Sequence, residues 1–267
     1  ELRLQNPMSS ELNYMRPSLL PNLIAAVGRN ADRGYADLAL FEVGTVFNGV
    51  GASEQPQQAA SVRAGLTHGR HWSGNGEAVD VFDAKADAEV ALTAAGAPAN
   101  LQVRSTAPSY FHPGRSGSLC LGKNVLAHFG ELHPRVLKAF DVQGPVVGME
   151  LYFDAIPVAR KKSGSARPLL KSSAFQPVER DFAFLVDANL AADTLLKAVA
   201  GADKKLISKV DLFDVYTGKG IDEGQKSLAI AVTLQPKQAS LTDEEIEAVS
   251  DKIVASAIKA TGGSLRG

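Results

Sequence analysis

The sequence predicts an α+β protein built in two parts, and three observations predict it. Residues 159–174, "ARKKSGSARPLLKSSA", mix Ser, Gly and Pro with five bases and no acid, which is linker composition. Beyond that seam, stretches such as 181–187 and 226–234 alternate apolar and other residues with the two-residue period of a strand. Between and after them lie segments whose apolar residues recur every three or four positions, the period of a helix with one buried stripe. The parts are therefore set at 1–158 and 176–267, joined by a basic linker over 159–175.

In the second part each element can be justified in turn. "RDFAFLVD" puts Phe182, Phe184 and Val186 on one face of a strand. "AADTLLKAVAG" aligns Leu195, Leu196 and Val199 on a helical stripe that is expected to stop at Gly201. "KLISKVDLFDVYTG" is a second strand, "KGIDEGQ" a hairpin connection, and "KSLAIAVTL" a third strand with Leu228, Ile230, Val232 and Leu234 facing one way. "TDEEIEAVSDKIVASAIKATGG" opens with a capping box, Thr242 with Glu245, and gathers acids where the helix dipole favours them. It then runs Ile246, Val249, Ile253, Val254 and Ala257 down one side, and "SLRG" closes as a short strand. The order βαββαβ is the ferredoxin-like split: an antiparallel sheet with both helices on one face and the other face open. Ser227, Ala229, Ala231 and Thr233 on that open face lack the aromatic platform of the commonest RNA-recognition domain. "GIDEGQKS" is not a phosphate loop, because Gln225 separates the second glycine from Lys226 and a strand follows instead of a helix.

Composition narrows the function classes. A 267-residue chain with 45% hydrophobic and 21% charged residues can bury a sizeable core, and 28 bases against 29 acids select no polyanionic partner by bulk charge. The single cysteine, Cys120, excludes an internal disulfide and a thiolate metal cage; between Leu119 and Leu121 it reads as a buried small hydrophobe. No apolar run approaches the ~18 residues of a spanning helix and no signal-peptide pattern opens the chain, so a cytoplasmic protein with no membrane role is expected. The chain starts at Glu1 without Met, directly in the alternation Leu2, Leu4, and is expected to be a piece of a longer polypeptide. Arg16 in "YMRPSLLP" is expected to buttress the start of a helix carried by Leu19, Leu20 and Leu23.

The segment "YFHPGRSGSLCLGKNVLAHFGELHP", residues 110–134, concentrates His112, His128 and His133. His128 and His133 are five apart, which with Glu131 suits neither a helical pair nor strand alternation, and His68 with His71 has no third ligand nearby. No metal is expected. His112-Pro113-Gly114 and His133-Pro134 read instead as tight-turn punctuation. Ser116 and Ser118 lie near His112 without a G-x-S-x-G elbow, so no nucleophilic catalysis is expected.

At the level of whole segments, "PVERDFAFLVD", "VDLFDVYTGKGI", "KSLAIAVTL", "SLTDEEI" and "GGSLRG" resemble the ferredoxin-fold anticodon-binding domain that ends the beta subunit of bacterial phenylalanyl-tRNA synthetases. Upstream, "NPMSSELNYMRPSLLPNLI", "LALFEVGTVF", Trp72, "VDVFDAKADAEVAL", "FHPGRSGSL", "HFGELHP" and "GMELYFDAI" are similar to the catalytic-like module of the same family, a degenerate class II synthetase core. The resemblance implies a class II synthetase-like antiparallel sheet with flanking helices over 1–158. It further implies a non-catalytic scaffold for an alpha subunit, in a heterotetramer of two alpha and two beta, with tRNA for phenylalanine as partner and no DNA. ATP and magnesium would belong to the parent enzyme and not to this part. Where a working class II site would carry its phosphate-clamping arginines, the chain has Phe41-Glu42-Val43-Gly44 and the stretch Gly148 to Phe153, so no catalytic residue is expected. The alternative is a stand-alone tRNA-tethering or protein-interaction module without a synthetase partner; a third reading is an enzyme using the histidine-rich stretch.

By the same resemblance the open face should hold the anticodon stem-loop, and Arg180, Lys205, Lys209, Tyr216, Lys219, Lys226 and Arg266 are the candidate contacts. Lys205 and Lys209, four apart on one strand, would share a side, while Lys219 and Lys226 flank the hairpin loop. Tyr216 and Phe213 are candidate stacking platforms, with a place in the core as the alternative for either and the preferred reading for Phe213. The acids Asp243, Glu244, Glu245 and Glu247 would lie away from that face, and the linker bases Arg160, Lys161 and Lys162 would steady phosphates.

Overall fold

A computed structural model describes residues 2–158 and 173–266. The chain divides into two compact units, residues 1–164 and 165–267. The linker bases Arg160, Lys161 and Lys162 lie outside the described residues.

The first unit runs α1 (Leu20–Ala31), β1 (Leu38–Thr45), β2 (Gln57–Ala64), α2 (Val81–Ala94), β3 (Gln102–Arg104), β4 (Phe111–Leu121), β5 (Asn124–Leu132), α3 (Pro134–Ala139) and β6 (Val146–Tyr152). Its strands form one antiparallel sheet in the order β1-β2-β6-β5-β4-β3, with the last strand inserted between β2 and β5. Both faces are covered. Leu20, Leu23, Ile24 and Val27 of α1 pack over Ala60, Val62, Leu132 and Val146, while Ala84, Ala88 and Leu92 of α2 pack over Ala59, Leu119, Ala127, Phe129, Met149 and Leu151. Each fully buried large side chain contributes roughly 1.5–3 kcal/mol. Gly148 of β6 allows the close approach: a Cβ there would lie 2.7 Å from the Ser61 carbonyl oxygen and 3.5 Å from Leu20 Cδ2. α2 starts where the sequence supplies a cap, Asp80 Oδ1 accepting from Phe82 N at 2.7 Å while Asp83 returns the bond to Asp80 N.

Arg16 buttresses the approach to α1 from β1, its Nε donating to the Thr45 carbonyl at 3.0 Å and its Nη1 to Glu42 Oε1 at 2.5 Å. Ser18 serves the first turn, its Oγ accepting from Leu20 N at 3.1 Å. Two local expectations change in this unit. His112-Pro113-Gly114 lies inside β4, where the pairing with β5 shifts register between Phe111 and Ser116, so the proline marks an irregularity in a strand and not a turn. His133 is the N-cap of α3, its Nδ1 accepting from Arg135 N at 3.1 Å with Pro134 at the first helical position.

The second unit runs β7 (Val178–Asp187), α4 (Ala192–Ala202), β8 (Ile207–Tyr216), β9 (Gln225–Leu234), α5 (Asp243–Thr261) and β10 (Ser264–Leu265). Its antiparallel sheet has the order β10-β7-β9-β8, and both helices cover one face through Leu195, Val199, Ile246, Val249, Ile253 and Ala257. This is the ferredoxin-like arrangement. α4 passes through Gly201 and ends at Asp203, whose carboxylate accepts the Lys205 and Leu206 N–H groups in the following turn. Lys205 therefore sits in that turn, before β8 begins, and the premise that it shares a strand side with Lys209 fails. β8 also carries two register shifts, one between Ile207 and Lys209 and one between Leu212 and Asp214.

Candidate functional site

The open face of the second unit follows from its register. On β9, Ser227, Ala229, Ala231 and Thr233 make a floor of small side chains, paired with Leu185, Ala183, Asp181 and Glu179 of β7. On β8 the same rows end at Tyr216, Asp214, Asp211 and Lys209. The irregularity at Phe213 adds one residue to β8, so Asp214 and Tyr216 return to the open side and Phe213 is itself 59% exposed; its assignment to the core is overturned.

Tyr216 and Arg266 are brought together at one end of this face. β10 and β8 are opposite edges of the sheet, yet Arg266 Cζ lies 5.7 Å from the Tyr216 ring centroid, so the guanidinium reaches over the small floor between them. The Tyr216 hydroxyl donates to the Lys219 carbonyl at 3.2 Å, and the ring covers Gly218, where a Cβ would clash with it. Lys219 is exposed in the adjoining loop. The opposite end is acidic, contrary to expectation, because strand alternation brings Glu179, Asp181 and Asp211 to the face that was assigned mainly bases, with Asp214 in the row next to Tyr216. Lys209 stands among them, its Nζ 2.5 Å from Asp211; the hydrogen bond and charge of Asp211, with help from Glu179, raise its pKa.

The remaining candidates go elsewhere. Arg180 pairs with Val232 and Lys226 with Val186, both in rows that belong to the helix-bearing side. The Lys226 ammonium donates to the Ala188 and Leu190 carbonyls at 2.8 and 2.7 Å, which ties down the turn after β7. In the first unit, His68 and His71 lie exposed in the loop that also carries Trp72, and among the described residues no three metal-ligating groups converge.

The first unit holds a cleft of about 1070 Å³ between the start of α1 and the sheet. Glu150 of β6 lies at its floor, 2% exposed, with Ser18 Oγ donating to Oε1 and Tyr110 OH to Oε2, each at 2.5 Å. Burial first, and then the Glu150 charge, push the Tyr110 and Tyr152 phenols far above their usual range, so both stay protonated. Along the same row, Ser118 pairs with His128 and His128 with Glu150. Ser118 Oγ is 2.7 Å from His128 Nδ1, but its proton goes to the Thr106 carbonyl and the residue is 1% exposed. Burial lowers the His128 pKa, which leaves a neutral ring donating from Nδ1 to Ser118. This is a polar brace built on a buried serine and a half-buried histidine, and not an exposed nucleophile. Sequence reasoning missed Glu150, although an acid inside the apolar run "VVGMELY" was the visible sign of it.

A third surface is apolar. Edge strand β1 exposes Phe41 at 77% and Val43 at 57%, and α2 exposes Val90 at 70% across a groove of about 780 Å³.

The second unit defines the class: its ferredoxin-like sheet matches, over residues 173–266, the ferredoxin-fold anticodon binding domain. Residues 1–153 match the phenylalanyl tRNA synthetase beta chain CLM domain, and the chain belongs to that family. It is 55% identical to the phenylalanine–tRNA ligase beta subunit of Paramagnetospirillum magneticum over 100% of this chain and 34% of the relative. It is 56% identical to that of Rhodospirillum rubrum over 99% of this chain and 33% of the relative. The chain thus spans about a third of the length of the curated relatives it matches. A solved pyrrolysyl-tRNA synthetase from Desulfitobacterium hafniense overlaps 56% of this chain and 49% of its own at 19% identity with a TM-score of 0.41, a likeness that bears no weight.

Proposed function

We propose that this chain is the scaffold and tRNA-reading part of a phenylalanine–tRNA ligase beta subunit, working in the cytoplasm in a heterotetramer of two alpha and two beta subunits. The observation that carries the reading is the pair of family matches in order along one chain, reinforced by relatives of that name aligned over its whole length. ATP and magnesium serve the catalytic alpha subunit, and this chain supplies no catalytic residue. The exposed apolar strip of Phe41, Val43 and Val90 supports a protein partner on the first unit. On the second unit the end that carries Tyr216, Lys219 and Arg266 favours the anticodon stem-loop, since the acidic end would repel phosphates. Lys205, in the turn before β8, then contributes at the periphery, and Arg160, Lys161 and Lys162 steady the backbone, while Arg180 on the helix-bearing side and Lys209 among the acids are left out of the contact.

Binding of the purified chain to phenylalanine tRNA, against a tRNA with a scrambled anticodon loop, tests this. Tyr216→Ala is expected to weaken cognate binding by about tenfold, the scale of one stacked base, with little change in salt dependence. Arg266→Ala should reduce the log-log salt slope by roughly 0.7. Lys226→Ala should leave affinity unchanged in the folded protein, since its charge is taken up by two carbonyls. Equal binding of both tRNAs, with Tyr216→Ala indistinguishable from the parent, would refute the anticodon reading for this face.

A further inference from the structure

The cleft over Glu150 carries a chemistry that neither the partner reading nor the RNA reading uses. A carboxylate removed almost entirely from water is held by two hydroxyl donors, Ser18 and Tyr110. Among the described residues no Lys, Arg or His forms an ion pair with it. A carboxylate offers about four acceptor positions, so roughly half of this one stays open. Burying an ionised carboxylate without a counter-cation is costly, and only partial charge is supplied from within. That part comes from the N-terminal end of α1, whose Leu20 N–H reaches the carboxylate through Ser18 Oγ. The Tyr110 and Tyr152 phenols, kept protonated by burial and by Glu150 itself, add dipoles and no cation. Around this buried anchor the walls are largely apolar, with Leu20, Ile24, Val125, Leu132, Val136 and Phe140, although Lys123, Asn124 and Asp154 also line the cleft. A buried charge at the floor, largely apolar sides and a volume of about 1070 Å³ are the features of a small-molecule site.

We propose that this cleft binds a small primary amine bearing an apolar group. Its ammonium donates to the open lone pairs of Glu150 while Ser18 and Tyr110 hold the carboxylate in place, and its hydrocarbon part lies against α1 and the sheet. An anion is repelled by Glu150, and a neutral alcohol of the same shape gains the apolar contact without the charge-assisted hydrogen bond.

The test is an NMR titration of the full chain with n-hexylamine and benzylamine, against n-hexanol and benzyl alcohol. The amines are expected to bind at least about tenfold more tightly than the alcohols, with shifts centred on Val125, Val136 and Glu150. Glu150→Gln keeps shape and hydroxyl partners and should remove the preference for the amines while leaving alcohol binding unchanged. Val125→Trp, which leaves Glu150 intact and fills the cleft, should abolish binding of both, and it decides the matter if the glutamine variant does not fold. Equal affinity for amines and alcohols overturns the proposal, as does a preference for amines that survives in either folded variant or shifts that lie outside the cleft.

Discussion

His128 shows how much one half-buried side chain can tie stability to pH. The ring is braced by Ser118 beside Glu150, and burial holds its pKa below the ordinary 6.5. Above about pH 6.5 both folded and unfolded forms carry a neutral ring, and the contribution is fully present. As the pH falls below that point the unfolded chain takes up the proton first, so the native state loses stability until the lowered folded pKa is also passed. Urea unfolding of the parent should therefore weaken more steeply with acidification from about pH 6.5 than that of His128→Asn. Parallel slopes for the two proteins, or an imidazole pKa at or above 6.5 by NMR, would show that the ring is not held as described.

At the scale of elements, Gly148 is where α1, β2 and β6 meet most closely. Gly148→Ala places a methyl 2.7 Å from the Ser61 carbonyl oxygen, a backbone atom that can move only by bending the sheet. The change is expected to cost about 1–3 kcal/mol, read as a lowered denaturation midpoint without loss of secondary structure by circular dichroism. A midpoint equal to the parent would mean that α1 and β2 adjust freely. The elements differ in how far they could be read from residues alone. Those of the second unit were legible because their cues are local: the alternation in "KSLAIAVTL", and the capping box of Thr242 and Glu245, whose two bonds are present. What escaped was set by pairing. The extra residue at Phe213 exists only relative to β9, and no local pattern decides that Asp181 and Asp211 flank Ala231 on one row. Arg16 was legible as structural, but its partners were not, since Glu42 and Thr45 lie more than twenty residues away. For the candidate site the sequence supplied Tyr216 and Arg266 separately, and only the sheet order brings them together.

For the whole molecule, the strip formed by Phe41, Val43 and Val90 on an edge strand and its neighbouring helix is what a missing partner would leave uncovered. Permanent subunit interfaces commonly bury more than about 2,000 Å². The chain alone is therefore expected to self-associate with rising concentration in sedimentation experiments. Substituting Phe41→Ser, Val43→Thr and Val90→Ser should abolish this, along with capture of an added alpha subunit, while the fold is retained because none of the three is buried. A parent that stays monomeric across a wide concentration range and ignores the alpha subunit would tell against the strip as an interface. The position of β6 has a consequence for the order in which the molecule can come into being. During synthesis β1 pairs with β2, and β3, β4 and β5 form a meander, as soon as each has left the ribosome, yet nothing in the sheet joins these two pieces until β6 arrives to hydrogen-bond with both β2 and β5. Until residue 152 has emerged, the nascent chain carries two unfinished sheet edges side by side. Closure between segments almost a hundred residues apart is therefore expected to be its slow step, and the interval before it the one most exposed to pairing with the wrong strand.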